Sequence, residues 1–198
     1  MGDILLGIST TIIGVVGTLL AIWLRYYLEA KKAKKACKIS KTVEEDCEIV
    51  SKLESMMETI SADRISIFQF HNGGEYYSGK SMQKISCTYE AVKKGVSRTQ
   101  MNMQNIPVSS CLETMRRLIE NREFHCRDVE NNYPESLCKH ALIENGVKST
   151  YQYIILNLDK KAIGMLRADF VLDQEDLSEE DDKTLNIFAL KLSGYLVK

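Results

Sequence analysis

The chain has 198 residues and sets 26 Lys and Arg against 27 Asp and Glu, a net charge of −1. That length holds one ordinary domain plus one extra element, not two full domains. With 44% hydrophobic and 27% charged residues, general disorder and collagen-like repeats are excluded, and the near-neutral balance gives no electrostatic footprint for nucleic acid.

Ile4 to Leu24 is an uncharged run of about 21 residues, long enough to cross a bilayer as a helix. Trp23, Tyr26 and Tyr27 stand at its end, where aromatic rings favour the interface. A cleaved signal would want a basic residue ahead of the run and a small-x-small site after it, and myristoylation would want Ser or Thr where Leu6 stands. Arg25, Lys31, Lys32, Lys34, Lys35, Lys38 and Lys41 follow the run and none precedes it. The positive-inside rule therefore predicts a single-pass membrane protein with a cytoplasmic C-terminal body, and Arg25 to Lys38 should meet anionic lipid headgroups. Gly7, Thr11, Gly14, Thr18 and Ala21 form a small-residue stripe that would let two spans approach closely, as in a homodimer.

From Tyr26 to Ser61 there is no Pro and no Gly. Ile39, Val43, Val50, Leu53, Met57 and Ile60 keep a near-heptad spacing, which predicts a continuous connecting helix over 26–61. The body over 62–198 begins with a strand, Arg64 to His71, closed by a turn at Asn72-Gly73-Gly74. Lys84 to Ala91 is a second strand, and Gln100 to Val108 is strand or loop. Cys111 to Asn121 is a helix capped by Ser109 or Ser110, Glu123 to Val129 is extended, and Pro134 to Glu144 is a helix with Gly146 after its end. Ser149 to Leu158 and Ala162 to Phe170 form a hairpin. The last helix starts at Ser178, carries an acidic first turn and buries Leu185, Phe188, Ala189, Leu192 and Leu196. The order predicts an α+β domain with an antiparallel sheet flanked by helices, behind one transmembrane helix over 1–25.

Several of these segments resemble the GAF-domain family. Glu123-Phe-His-Cys-Arg-Asp128 followed by Tyr133-Pro134 is similar to its extended segment ending in Asp before a helix. Gly146-Val-Lys-Ser149 opens a strand, Ala162-Ile-Gly-Met-Leu-Arg-Ala-Asp-Phe170 resembles the family's x-I-G-x-L-x-x-x-F strand, and Leu177-Ser-Glu-Glu-Asp181 opens the closing helix. The resemblance covers roughly 40–198 and is most specific in the C-terminal half. It implies a six-stranded sheet, a ligand pocket on one face and pairing terminal helices. It names no ligand, because the cyclic-nucleotide, chromophore-attachment and methionine-sulfoxide patterns are not matched.

The six cysteines are irregularly spaced, and a cytoplasmic body would keep them as free thiols. His125-Cys126 and Cys138-Lys139-His140, with His71 and Cys87, offer metal-ligand types. They contain no C-x-x-C pair, and neighbours on a strand point apart, so no metal is assigned. Cys87 and His71 could pair as nucleophile and base only if neighbouring strands brought them together. Walker, Rossmann, G-x-S-x-G and H-E-x-x-H patterns do not occur, so neither cofactor nor catalytic residue is assigned and the protein is read as a non-enzyme. The densest polar and aromatic stretch is Phe68 to Tyr77. Phe70, His71, Asn72, Gly73, Gly74, Tyr76 and Tyr77, with Tyr89, Glu90, Tyr151 and Tyr153 on neighbouring strands, could line a pocket for a small ligand. The same residues could instead be core aromatics beside a tight turn.

These features predict a membrane-tethered regulatory module that binds a small ligand or a protein partner. Two alternatives stand beside it. One is a lysis protein, whose layout resembles the single-span holins of T-even-like phages, a family expected to place its body outside the cytoplasm. The other is a structural tether.

Overall fold

A computed structural model describes residues 2–197, and within its first helix the side chains of 2–15 and 33–38 lie outside the description. The expected stripe residues Gly7, Thr11 and Gly14, the basic residues Lys34, Lys35 and Lys38, and Cys37 fall among these. The backbone forms one helix, α1 (Gly2–Thr59), as the absence of Pro and of closely spaced Gly beyond residue 25 allows. Among the described residues no helix is long and apolar enough to cross a membrane, and the expected span begins in side chains outside that set.

The chain divides into two compact units, one up to Asp46 and one from Cys47 onward. In the first, Leu19, Leu20, Ile22 and Trp23 are exposed, and Trp23 stacks on Tyr27 with ring centroids 5.6 Å apart. Arg25, Lys31 and Lys32 are exposed, with Arg25 paired to Glu29. The second unit starts earlier than residue 62, because Ile49 and Leu53 on the last turns of α1 are buried in its core. Ile39 and Val43, earlier in the same heptad pattern, are exposed.

Six antiparallel strands follow: β1 (Arg64–Glu75), β2 (Ser81–Val92), β3 (Ile106–Pro107), β4 (Glu123–Cys126), β5 (Ser149–Leu156) and β6 (Ala162–Phe170). Their order in the sheet is β3-β2-β1-β6-β5-β4. The helical elements are a 3-10 turn (Val108–Cys111), α2 (Leu112–Asn121), α3 (Val129–Asn132), α4 (Leu137–Glu144) and α5 (Glu179–Leu196). The expected hairpin over 149–170 is present as β5 and β6. Helix α5 begins where expected, with the Ser178 hydroxyl accepting the Asp181 N–H and four acidic residues in the first turn.

Elsewhere the boundaries shift for local reasons. Asn72-Gly73-Gly74 is a bulge inside β1, not its end. The Asn72 side-chain carbonyl accepts the Gly74 N–H, Gly74 takes φ +107°, and the register with β2 slips between Asn72 and Glu75. The chain turns at Tyr76–Lys80 instead. Helix α4 starts at Leu137, because the Ser136 hydroxyl accepts the Lys139 N–H and so caps the helix two residues after Pro134. Helix α2 is preceded by the 3-10 turn and has no side-chain cap from Ser109 or Ser110.

Strand alternation divides the interior in two. Ile65, Ile67, Tyr151, Tyr153, Leu166 and Ala168 face one way, against Ile49 and Leu53 of α1 and Leu185, Ala189 and Leu192 of α5. Phe188 and Leu196 are half-buried at the edge of this layer, less covered than the helix pattern predicted for Phe188. Phe68, Ile85, Phe124, Ile154 and Met165 face the other way, against α2, α4 and the loop before β3. A bulge in β2 opposite Ile67 and Phe68 lets Tyr89 join the first layer and Cys87 the second, although they are two residues apart.

Gly164 of β6 has no room for a side chain, since a Cβ there would press into the Phe68 carbonyl of β1. Gly164→Ala should therefore lower the unfolding free energy by about 1–3 kcal/mol through forced overpacking. Gly194→Ala on α5, with nothing within 4 Å of the new carbon, should be neutral or stabilise by about 0.5–1 kcal/mol. Chemical denaturation of both variants would check this, and equal midpoints would contradict the close strand approach.

Asp63 fastens the entry of β1 to the exit of β6. Burial alone would raise its pKa, but the Leu172 and Val171 amides, each at 2.8 Å, and Lys93 at 3.3 Å outweigh it and hold the carboxyl below its ordinary value. Because the folded pKa lies below the unfolded one, this contribution is present above the unfolded pKa and is lost as pH falls through the folded value. Stability measured from pH ~5 down to ~2 should fall less steeply in Asp63→Asn than in the parent chain.

Candidate functional site

Arg64, Glu90, Arg167 and Asp169 lie at the centre of the sheet and are all buried. They face the second layer because Asp169, Arg167 and Met165 share one face of β6. The Asp169 carboxylate accepts from Arg167 Nε at 3.1 Å, Arg64 Nη1 at 3.4 Å and the Thr150 hydroxyl at 2.7 Å. Arg64 also donates to the Ser97 carbonyl and lies 3.6 Å from Glu90. Glu90 in turn accepts the Thr99 N–H and hydroxyl and the Gln100 N–H, so it ties down the loop leading to β3.

Next to this set is a cavity of about 600 Å³ between the sheet and the 3-10 turn, α2 and α4. Its wall is mixed: Phe68, Met103, Met115 and Met165 contribute apolar surface, and Asn102, Asn105 and Glu144 are among the polar residues. Two polar side chains reach it from the sheet floor. Arg167 is 6% exposed, stacks its guanidinium 4.6 Å above the Phe68 ring and leaves Nη2 buried without a hydrogen-bond partner. Gln152 is 2% exposed, donates from Nε2 to the Tyr133 hydroxyl at 3.4 Å and leaves Oε1 buried without a partner. Both line the cavity and are opposite one another across β5 and β6.

Cys111 and Cys138, also in the cavity wall, are joined as a disulfide with Cα atoms 5.7 Å apart. This corrects the expectation that all six cysteines are free thiols. The pairing is invisible in sequence because the two are 27 residues apart in the chain and meet only when α4 folds against the 3-10 turn. Closing such a loop contributes about 3.5 kcal/mol in the chain-entropy account.

Of the residues singled out in sequence, Phe68 and Cys138 line this cavity, whereas Phe70 to Tyr77, Tyr89, Glu90, Tyr151 and Tyr153 do not. Phe70, half-buried, packs at the edge of the second layer. His71 bonds through Nε2 to the Ser86 hydroxyl at 2.9 Å. Asn72, Gly73, Gly74, Tyr76 and Tyr77 are exposed along the far end of the β1–β2 hairpin, with the Ser81 hydroxyl donating to Asn72. Tyr89, Tyr151 and Tyr153 belong to the helix-facing layer. The Tyr151 hydroxyl donates to the Glu175 carbonyl and that of Tyr153 to Asp182 at 2.5 Å. Burial first, then Asp182, drives the Tyr153 pKa well up. Glu90 is held in the buried charge set.

His125 and Cys126 point to opposite faces, as strand neighbours must. His125 faces α5 and lies 3.2 Å from Asp182, and with Glu123 the three bring ligand-type atoms within 4.8 Å of one another. Sequence reading missed this trio, whose only signal was the i, i+2 spacing of Glu123 and His125. It also missed Arg167 and Gln152, although both lie within strands it recognised. Cys87 donates weakly to the Tyr89 carbonyl, and burial pushes its thiol up to about 12. Burial also raises Cys126.

No protein-family model matches the chain, and no curated protein matches it. Solved structures do. The blue-light absorbing form of the PixJ GAF domain from Thermosynechococcus elongatus superposes with a TM-score of 0.61 at 16% identity, covering 80% of this chain and 86% of its own. A phycocyanobilin-bound GAF domain from a cyanobacterial phytochrome gives 0.60 at 15% identity, covering 81% and 88%. The GAF domain region of a Geobacter sulfurreducens PCA protein, named as a membrane protein, gives 0.57 at 13% identity, covering 80% and 96%. The body has the GAF fold, as the motifs in its C-terminal half implied.

The thiols provide a direct check of this packing. In the native protein Cys47, which is exposed, should react with iodoacetamide, while Cys87 and Cys126 should react only on unfolding. Peptide mapping should recover Cys111 and Cys138 unlabelled until reductant is added. Rapid native modification of Cys87 would place it at the surface and contradict the layer assignment.

Proposed function

We propose that this chain is a membrane-tethered, non-catalytic sensory module whose GAF domain binds a small molecule in the cavity beside Arg167. The carrying observation is the cavity itself. Two of the side chains that line it, Arg167 and Gln152, are more than nine-tenths buried and belong to or adjoin the charge set at the centre of the sheet. A ligand that binds one arrangement of this lining better than another shifts the domain between states, which is the thermodynamic requirement for a signal. A neighbour of the same fold is a phycocyanobilin-bound GAF domain, which supports a small-molecule ligand for a domain of this fold.

Tethering rests on the uncharged run from Ile4 to Leu24, on the exposed apolar side chains of its described part and on the basic residues that follow. These charges favour a cytoplasmic body and contact with anionic lipid. The exposed Ile39 and Val43, continuing the heptad, suit pairing with a second copy.

The Cys111–Cys138 disulfide favours a second reading. Stable disulfides belong to oxidising compartments, which would put the body outside the cytoplasm, the layout of a holin-like lysis protein.

One experiment separates the two. In intact cells expressing the full chain, a membrane-impermeant maleimide should leave Cys47 unlabelled until the cells are opened, and the protein should stay in the carbonate-washed membrane fraction. Labelling before opening would reverse the orientation and favour the lysis reading. Recovery in the soluble fraction would remove the tether from both.

A further inference from the structure

On the face of the sheet away from the cavity, the edge strand β4 meets the first turns of α5. Glu123 and His125 are two residues apart on β4, so both side chains leave the strand on the α5 side. Asp182 comes to them from α5. His125 Nε2 and Asp182 Oδ1 are 3.2 Å apart, and Glu123 brings a carboxylate oxygen within 4.8 Å of the ligand atoms of the other two.

The three side chains are held from outside the trio. The His125 ring lies against the rings of Tyr151 and Tyr153, with centroids 5.3 and 5.5 Å away. The Tyr153 hydroxyl donates to Asp182 Oδ1 at 2.5 Å, and Asn186 Nδ2 donates to Glu123 Oε2 at 3.4 Å. Outer partners of this kind fix the direction of ligating groups. Charge points the same way. Among the described residues Glu123 forms no salt bridge, and the basic residues next in sequence to the trio are engaged elsewhere, Arg127 with Asp176 and Lys183 with Glu179. Two carboxylates therefore stand close together without a Lys or Arg between them.

The spacing suits a small divalent ion. Nitrogen and oxygen ligands at zinc distances and a tetrahedral angle stand about 3.3 Å apart, which the His125–Asp182 separation of 3.2 Å already matches. A swing of at most about 1.5 Å by the flexible Glu123 carboxylate closes the remaining gap. An imidazole beside two carboxylates favours a transition metal over magnesium or calcium, which take oxygen ligands. With His125 and Asp182 each about one-third exposed, the remaining coordination position faces solvent.

We propose that Glu123, His125 and Asp182 form a surface site for a divalent transition metal of the zinc class, completed by water. The ion joins the edge strand β4 to α5, and because it is open to solvent it exchanges with the surroundings.

The test uses the full chain in detergent, stripped with EDTA, with Zn2+ and Co2+ as probes. Zinc should bind saturably in competition with a chelating dye, and cobalt should give visible bands without a sulfur-to-cobalt band. His125→Ala and Glu123→Gln should each weaken zinc binding by more than about tenfold, the smallest loss usual even for an outer partner of a metal ligand. His140→Ala is the control. His140 Nε2 lies 2.9 Å from Glu135, a His–carboxylate pair outside the trio, and its loss should leave zinc affinity unchanged. Thermal unfolding without metal identifies variants that keep the parent fold. Glu123→Gln preserves side-chain shape and decides the matter if His125→Ala does not fold.

Absence of saturable zinc binding in the parent chain would overturn the site. So would affinity that survives Glu123→Gln and His125→Ala, or that falls in His140→Ala. A sulfur-to-cobalt band that disappears in Cys47→Ser would assign the metal to the exposed thiol and overturn it equally.

Discussion

One carboxylate, that of Asp169, holds the centre of this domain together. It accepts from Arg64 on β1, Arg167 on β6 and Thr150 on β5, so three adjacent strands converge on a single buried group. Buried charges are expensive, and removing one member of such a set generally costs more than the set gains over an apolar core. Its value here is directional. With Nε bonded to Asp169 and its plane on Phe68, the Arg167 side chain is held in one orientation in the cavity lining. The interaction that closes the sheet is also the one that positions the polar group at the site.

The two faces of the sheet have different tasks. The face toward α1 and α5 is filled by aliphatic and tyrosine side chains and is close to continuous. The other face carries the charge set and is covered by short elements: the 3-10 turn, α2, α3 and α4. Short helices cannot fill a six-stranded sheet as two long ones can, and a cavity remains between them and the floor. The disulfide between the 3-10 turn and α4 ties that cover in place. Glu90 does the same for the loop before β3 by accepting its backbone N–H groups.

The aromatic residues that stood out in the sequence are distributed by strand alternation over both faces of the sheet. Tyr151 and Tyr153 are visible because they are large, yet alternation sends them to the α5 side, while Gln152 between them reaches the cavity. Asn72-Gly73-Gly74 has turn composition, but the Asn72 side chain imitates a turn inside a continuing strand and produces a bulge. Cys87 and Tyr89 have strand spacing for one face and lie on two, since the bulge in β2 shifts the alternation.

Features carried by near neighbours in the chain were determined by the sequence alone. The 149–170 hairpin, the Ser178 cap with its acidic turn, the Pro- and Gly-free connecting helix and the antiparallel α+β class all rest on contacts a few residues apart or on strict periodicity. The motifs of the C-terminal half pointed to the GAF fold for the same reason. Tertiary structure alone decided what depends on strand order and face: that Arg64, separated by 105 residues from Asp169, should share its carboxylate, that Cys111 should meet Cys138, and that Arg167 and Gln152 should stand side by side. Periodicity assigns a residue to one of two faces. Only the packing of helices against the sheet determines which of those faces is filled and which keeps a cavity.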